Sequence, residues 1–406
     1  MLNWHFNCLF AWSLMPPFVP FAYGYRPFFL LAGWFAVLGM GAWLWLWLYP
    51  SAGAGSGGLP VSQWHGHEMM FGFILAAITG FMLTAVPSWT GKRGFGGWPL
   101  VLLTLIWLAG RIAMAASGLL PLVALAAIEL AFLPALGVLI APPLLRARNR
   151  NTPLLLVLLA LWAADGAFLL GHHRADPALA GAALRFALNL VLVLITVIGG
   201  RIVPAFTTNA LRLRGVTVRM RSSAPLERAV IGAMIALLLV DALWPAKPLA
   251  GGVALAAGLA QSWRLAGWNG HRTLHDPIVW VLHVAYAWLP LGLLLKAAWL
   301  LGGFAWAGFW MHALSAGAAA SMILAVMSRA ALGHTGRPLR VAPAMAWSYL
   351  LVAAAATLRV FGPVWLPLSY RATILVAGAL WLAAFLIYVT IYTPILLRPR
   401  VDGKPG

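Results

Sequence analysis

Ten consecutive residues, Gln63-Trp64-His65-Gly66-His67-Glu68-Met69-Met70-Phe71-Gly72, bring together two imidazoles, a carboxylate and two thioethers just ahead of a long apolar run. Ionisable groups at membrane depth are costly and gather where a function needs them, so this stretch reads as a metal or cofactor site. Imidazole suits haem iron and copper, and the thioethers of Met69 and Met70 suit Cu(I). On a helix, residues two apart lie about 200° around the axis, so at most one of His65 and His67 faces a given metal. Gly66 between them would let the backbone approach a flat cofactor closely. The bland alternative, a pair of interfacial histidines wetted by headgroup water, stays open, and for lone histidines such as His5 and His172 it is the preferred reading. His312, about one turn into a later apolar segment, belongs to the same layer as His65 and His67. His283 and His334, with His271 and His275 in the connection between two segments, form a second, inner group. Tyr286, three residues after His283, shares its helical face and either hydrogen-bonds or packs there.

Buried cations are the second chemical signal. Arg111, Arg185, Arg201, Lys296, Arg329 and Arg359 fall within apolar segments, where only Glu68, Glu129, Asp165 and Asp241 are available to neutralise them. Haem propionates would supply the missing negative charge and suit the planar fork of arginine. Snorkelling to the headgroups is the alternative for Arg201 and Arg329.

The elements that must position these groups follow from composition. The 406 residues are 63% hydrophobic and 9% charged, with a mean hydropathy of +0.91, which excludes a soluble globular domain. Apolar runs at about 28–48, 68–87, 98–117, 121–144, 153–171, 179–203, 225–244, 249–263, 277–301, 308–332, 343–361 and 372–396 predict an all-α polytopic bundle of about twelve transmembrane helices. Pro121, Pro153, Pro225, Pro277 and Pro343 stand at predicted helix starts. The formal charge of +19 is not a nucleic-acid signal, because most of the Arg and Lys residues lie in alternate short connections and the tail. That asymmetry predicts both termini cytoplasmic and the lipid bilayer as the principal partner. Residues 1–24 read as an interfacial lead-in, 25–397 as one transmembrane domain and 398–406 as a cytoplasmic tail. The uncharged Gly/Ser/Ala run at 51–58 reads as a flexible outer loop. A single cysteine, Cys8, excludes an internal disulfide. No internal repeat is evident.

Several blocks resemble the NnrS family: Tyr25-Arg26-Pro27-Phe28-Phe29, Trp64-His65-Gly66-His67-Glu68-Met69, Leu83-Thr84-Ala85-Val86-Pro87-Ser88-Trp89-Thr90-Gly91 and Gly199-Gly200-Arg201-Ile202-Val203-Pro204. So do His283-Val284-Ala285-Tyr286-Ala287-Trp288, Met311-His312-Ala313-Leu314 and Leu332-Gly333-His334-Thr335-Gly336-Arg337-Pro338, in order along residues 25–395. The resemblance implies a multi-pass protein of the bacterial inner membrane that contains haem, b-type by expectation, and copper. It also implies a role in denitrification and nitric oxide tolerance, with nitric oxide as small ligand and a redox partner. His65, His67, His283, His312 and His334 match family histidines and are the candidate metal ligands. On this reading His65 or His67 joins His312 on haem, Arg111 or Arg359 neutralises the propionates, and the inner histidines hold copper or a second haem. Two other readings compete: a secondary transporter that binds a small anion on its intramembrane arginines, and a haem-bearing sensor or assembly partner without turnover.

Overall fold

A computed structural model describes residues 18–49, 59–244, 247–366 and 369–404. His5, Cys8, most of the expected lead-in and the 51–58 loop lie outside the described residues. Among those described the chain forms twelve helical rods and no strand. They are α1 (Tyr25–Leu48), α2 (Val61–Thr90), α3 (Trp98–Ala115), α4 (Leu122–Arg146), α5 (Leu154–His173), α6 (Pro177–Arg212), α7 (Ala224–Leu243), α8 (Lys247–Ala266), α9 (Pro277–Gly302), α10 (Ala305–His334), α11 (Pro343–Trp365) and α12 (Tyr370–Leu397). Ten of these are long and apolar enough to cross a membrane, which makes the chain a polytopic membrane protein. The other two, α7 and α8, have 20 residues each; α7 carries Glu227, Arg228 and Asp241, and α8 is less apolar, with Lys247, Gln261, Ser262 and Arg264.

Local signals account for the helix ends. Proline occupies the first turn of α3, α6, α7, α9 and α11, where a missing N–H leaves no gap in the ladder. Asp176 caps α6 by accepting from the N–H groups of Ala178 and Leu179, both at 3.0 Å. Gly91, with φ of 65°, closes α2 in the left-handed conformation that favours glycine.

The rods pack mostly as sequential neighbours, α5 along α6, α8 along α9 and α11 along α12, and α12 returns onto α1. One apolar core runs from Tyr25 in α1 to Leu396 in α12. Three rods depart from regular α-helix in their interiors. Glu68–Ile74 of α2, Ile195–Gly199 of α6 and Ala313–Ala320 of α10 are π-helical, a rare geometry that widens the turn and is frequent at functional sites.

Two sequence-based boundaries need correction. The polar segment Val61–His67 is already helical, so His65 and His67 lie inside α2 and not ahead of it; low hydropathy concealed two turns of regular helix. Arg264, assigned to a connection, is buried within α8, because Glu227 of α7 supplies the charge that it needs.

Candidate functional site

The 3.6-residue period of α2 sorts its two histidines onto opposite faces. Ser62, His65, Met69, Met70 and Phe73 fall on one face, and His67, Glu68, Phe71 and Leu75 on the other. The first face borders a cavity of about 380 Å³ enclosed by α1, α2, α6, α10, α11 and α12. That volume lies within the range of cofactor pockets.

His65 and His312 both line this cavity, each half-buried, and neither ring hydrogen-bonds a described residue. The Nδ1 atom of His65 is buried without a partner, and its ring stacks on Trp43 with centroids 4.5 Å apart. Arg185 from α6 and Arg359 from α11 supply positive charge, and no Asp or Glu lines the space. Arg359 lies over Phe309 at 4.7 Å and donates through Nη2 to Tyr370 Oη at 3.3 Å, while its Nη1 is buried with no partner. Met40, Met69, Met70 and Met311 add four thioethers to the wall. An acid-free cavity with two free imidazoles and an unsatisfied guanidinium suits a flat, largely apolar ligand that carries negative groups at its edge.

The opposite face of α2 enters a different environment. His67, 0% exposed, lies between Phe71 and Phe168, with ring centroids 4.9 and 4.6 Å away. Its Nδ1 is 3.0 Å from Glu68 Oε1, and its Nε2 is 2.9 Å from Asp165 Oδ1 and 3.9 Å from Glu129 Oε1. Arg111 from α3 donates through Nη1 to Glu68 Oε1 at 2.6 Å and through Nη2 to Glu129 of α4. Four helices thus meet through five buried ionisable side chains. With His67 protonated, three carboxylates stand against two cations, −3 + 2 = −1, and one negative charge is left to be met by a further proton or a cation.

The atoms of His67, Glu129 and Asp165 lie within 4.8 Å of one another, close enough to hold a metal ion. Two features count against one in this arrangement. Both nitrogens of His67 face carboxylate oxygens, and Arg111 already occupies Glu68 and Glu129. The void beside Glu129 and Asp165 is about 10 Å³, room for no more than one water. As it stands, the cluster is a polar clamp between α2, α3, α4 and α5.

The structure therefore brings His65, His312 and Arg359 to one cavity and keeps His67 and Arg111 out of it. Of the inner histidines, His271 lies within electrostatic reach of His283, but His334 does not join them. His283 Nε2 lies 2.7 Å from Thr207 Oγ1, and its Nδ1 abuts Gly270, where an added Cβ would come within 2.6 Å. His334 instead packs on Tyr25 at 5.3 Å and lines a vestibule with Arg150, Arg201 and Arg329. Tyr286 bonds not to His283 but to Gln261, at 2.6 Å, and accepts from Arg264 at 2.8 Å. Arg185 joins the cavity although only its depth, and no spacing motif, marked it. The pairing of Arg264 with Glu227 escaped sequence reasoning altogether, because each residue sits near a helix end.

A family model described as NnrS protein matches residues 19–400, nearly the whole chain. No protein with a curated description matches it.

Proposed function

The chain belongs to the NnrS family, and on that premise we propose that it holds haem in the His65–His312 cavity and serves the nitric oxide response of the bacterial inner membrane. Membership links the chain to haem- and copper-related function in that response. The observation that carries the finer reading is the cavity itself: about 380 Å³, two imidazoles that hydrogen-bond no described residue, and two arginines with no acid among the lining residues. His65 and His312 would hold the iron, and Arg185 and Arg359 would take the propionates. When bound, haem supplies a redox-active iron that takes up nitric oxide. The chain's own contribution is to orient and to exclude water, through Trp43 stacked on His65 and Trp381 across the cavity. Turns and connections rich in Arg favour both termini on the cytoplasmic side, which puts this cavity near the outer face.

Copper finds its softest ligands in the same place. Met40, Met69, Met70 and Met311 border the cavity beside the two histidines, and thioether with imidazole suits Cu(I). His283 has His271 within electrostatic reach and His334 stands apart, and neither belongs to a group of three or more candidate ligands among the described residues.

Anion transport, the competing reading, is less well supported. From the histidine cavity toward the other end, the space between α2, α6 and α10 is lined by Ala77, Ile78, Leu194, Ile198, Met322 and Ile323, which offer an ion no polar side chain. Purified protein should show a Soret band and iron near one per chain, and His65→Ala or His312→Ala should abolish both. Wild-type protein without iron or a Soret band would overturn the haem reading.

A further inference from the structure

The vestibule at the far end of α2, α6 and α10 has an amphipathic character that the histidine cavity lacks. About 560 Å³ in volume, it is lined by Arg150, Arg201, Arg329 and His334 with Asn151, and no Asp or Glu lines it. Arg201 donates through Nη1 to Asn151 Oδ1 at 2.9 Å, and Arg329 lies flat over Phe206 at 4.0 Å. Both guanidinium groups are therefore positioned and neither is ion-paired within the described residues, although Asp276, which lines the adjoining space with Arg329, lies within electrostatic reach of it. Phe29, Phe81, Ile198, Ile202 and Val326 line this vestibule and also the apolar groove of about 90 Å³ next to it. Ile78, Ile195, Ile198 and Ile323 in the groove wall are only half-buried, so the groove opens along the flank of the bundle.

We propose that this combined site binds one anionic phospholipid, with the phosphodiester headgroup on Arg150, Arg201 and Arg329 and an acyl chain along the groove. Charge complementarity selects the occupant: a cationic, acid-free chamber continuous with an apolar groove fits a molecule that is anionic at one end and aliphatic at the other. The connections that carry Arg146, Arg148 and Arg150 mark this end as cytoplasmic, where anionic lipid attracts basic residues. An acyl chain gains little by leaving bulk lipid for the groove, because both are equally apolar. Selectivity accordingly comes from the headgroup and not from chain length. The proposal does not depend on haem in the His65–His312 cavity.

Native mass spectrometry of the full-length protein, incubated with equal amounts of dioleoyl phosphatidylglycerol and dioleoyl phosphatidylethanolamine, tests it. One phosphatidylglycerol per chain should be retained in preference. Arg201→Gln with Arg329→Gln should lower that retention about tenfold or more, since each surface arginine contributes roughly fivefold. Ile198→Trp, which fills the groove and leaves every charge in place, should lower retention as well and covers the case in which the double variant fails to fold. Equal retention of the two lipids, or unchanged retention in the variants, overturns the proposal. Displacement of the lipid by millimolar inorganic phosphate would also overturn it, because a free anion would then be the occupant.

Discussion

His65 and His67 are separated by one glycine, yet they serve regions built on opposite principles. The His65 region is open and electropositive, with two arginines, two histidines and no acid around about 380 Å³ of space. The His67 region is closed and electronegative, with three carboxylates and two cations packed so tightly that the adjoining void is about 10 Å³. In the first, Nδ1 of His65 and Nη1 of Arg359 lack partners; in the second, both nitrogens of His67 and both terminal nitrogens of Arg111 are engaged, and only Arg111 Nε and Glu129 Oε2 are left buried without a described partner. Unsatisfied polar groups around a large space mark where a ligand binds, whereas a densely ion-paired cluster with no space beside it marks where helices are held. The same pair of residue types therefore does two jobs, and the helical period decides which residue does which.

The strongest way to break this contrast is to remove the cation of the closed region. Arg111→Ala leaves the buried Glu68, Glu129 and Asp165 carboxylates facing His67 alone, at a cost of about 3–5 kcal/mol. Thermal unfolding in detergent should drop sharply or folded protein should be lost; an unchanged transition would show that the cluster clamps nothing. Within the same region, Gly110→Ala would bring a Cβ to 2.6 Å from Glu129 Oε2 and should cost about 1–3 kcal/mol through overpacking. Arg359→Gln sharpens the other side. It should weaken haem retention roughly tenfold, in keeping with the loss of one charge-assisted hydrogen bond, while the unfolding transition barely moves. A large loss of stability there would assign Arg359 to the scaffold.

An exposed ion pair sets the lower limit. Arg400 hydrogen-bonds Asp402 and holds its carboxyl down at about 2, below the ordinary 3.8. Because the folded value is the depressed one, the benefit is present above about pH 4 and is lost as pH falls toward 2. Asp402→Asn should leave the unfolding transition at neutral pH unchanged, since solvent screens an exposed pair.

Much of the fold was legible because hydropathy and proline punctuation are local signals. The expected segments correspond to the twelve rods, ten of which are long and apolar enough to span a membrane, and the larger boundary misses fall in polar turns where α2 begins and where α6 and α8 end. The 200° rule for residues two apart also separated His65 from His67 before any coordinates. Which way each one turns was not legible, because it depends on Asp165 and Glu129, about 100 and 60 residues away on α5 and α4. Arg111 was recognised as a cation in need of an anion, but spacing along the chain carries no record of which helices pack together. The partner proved to be Glu68, inside the motif itself, together with Glu129. The π-helical turns of α2, α6 and α10 were equally hidden, since their residues, mostly small or apolar apart from Glu68, fit an ordinary helix pattern.

Haem content per chain, measured by the Soret absorbance of His65→Ala beside His67→Ala with unfolding temperatures recorded on the same samples, tests the division of labour most directly. His65→Ala should lose the haem and keep the fold, and His67→Ala should lose stability while whatever remains folded keeps its haem. The reverse pattern, with haem retained in His65→Ala and lost from a stable His67→Ala, would contradict it.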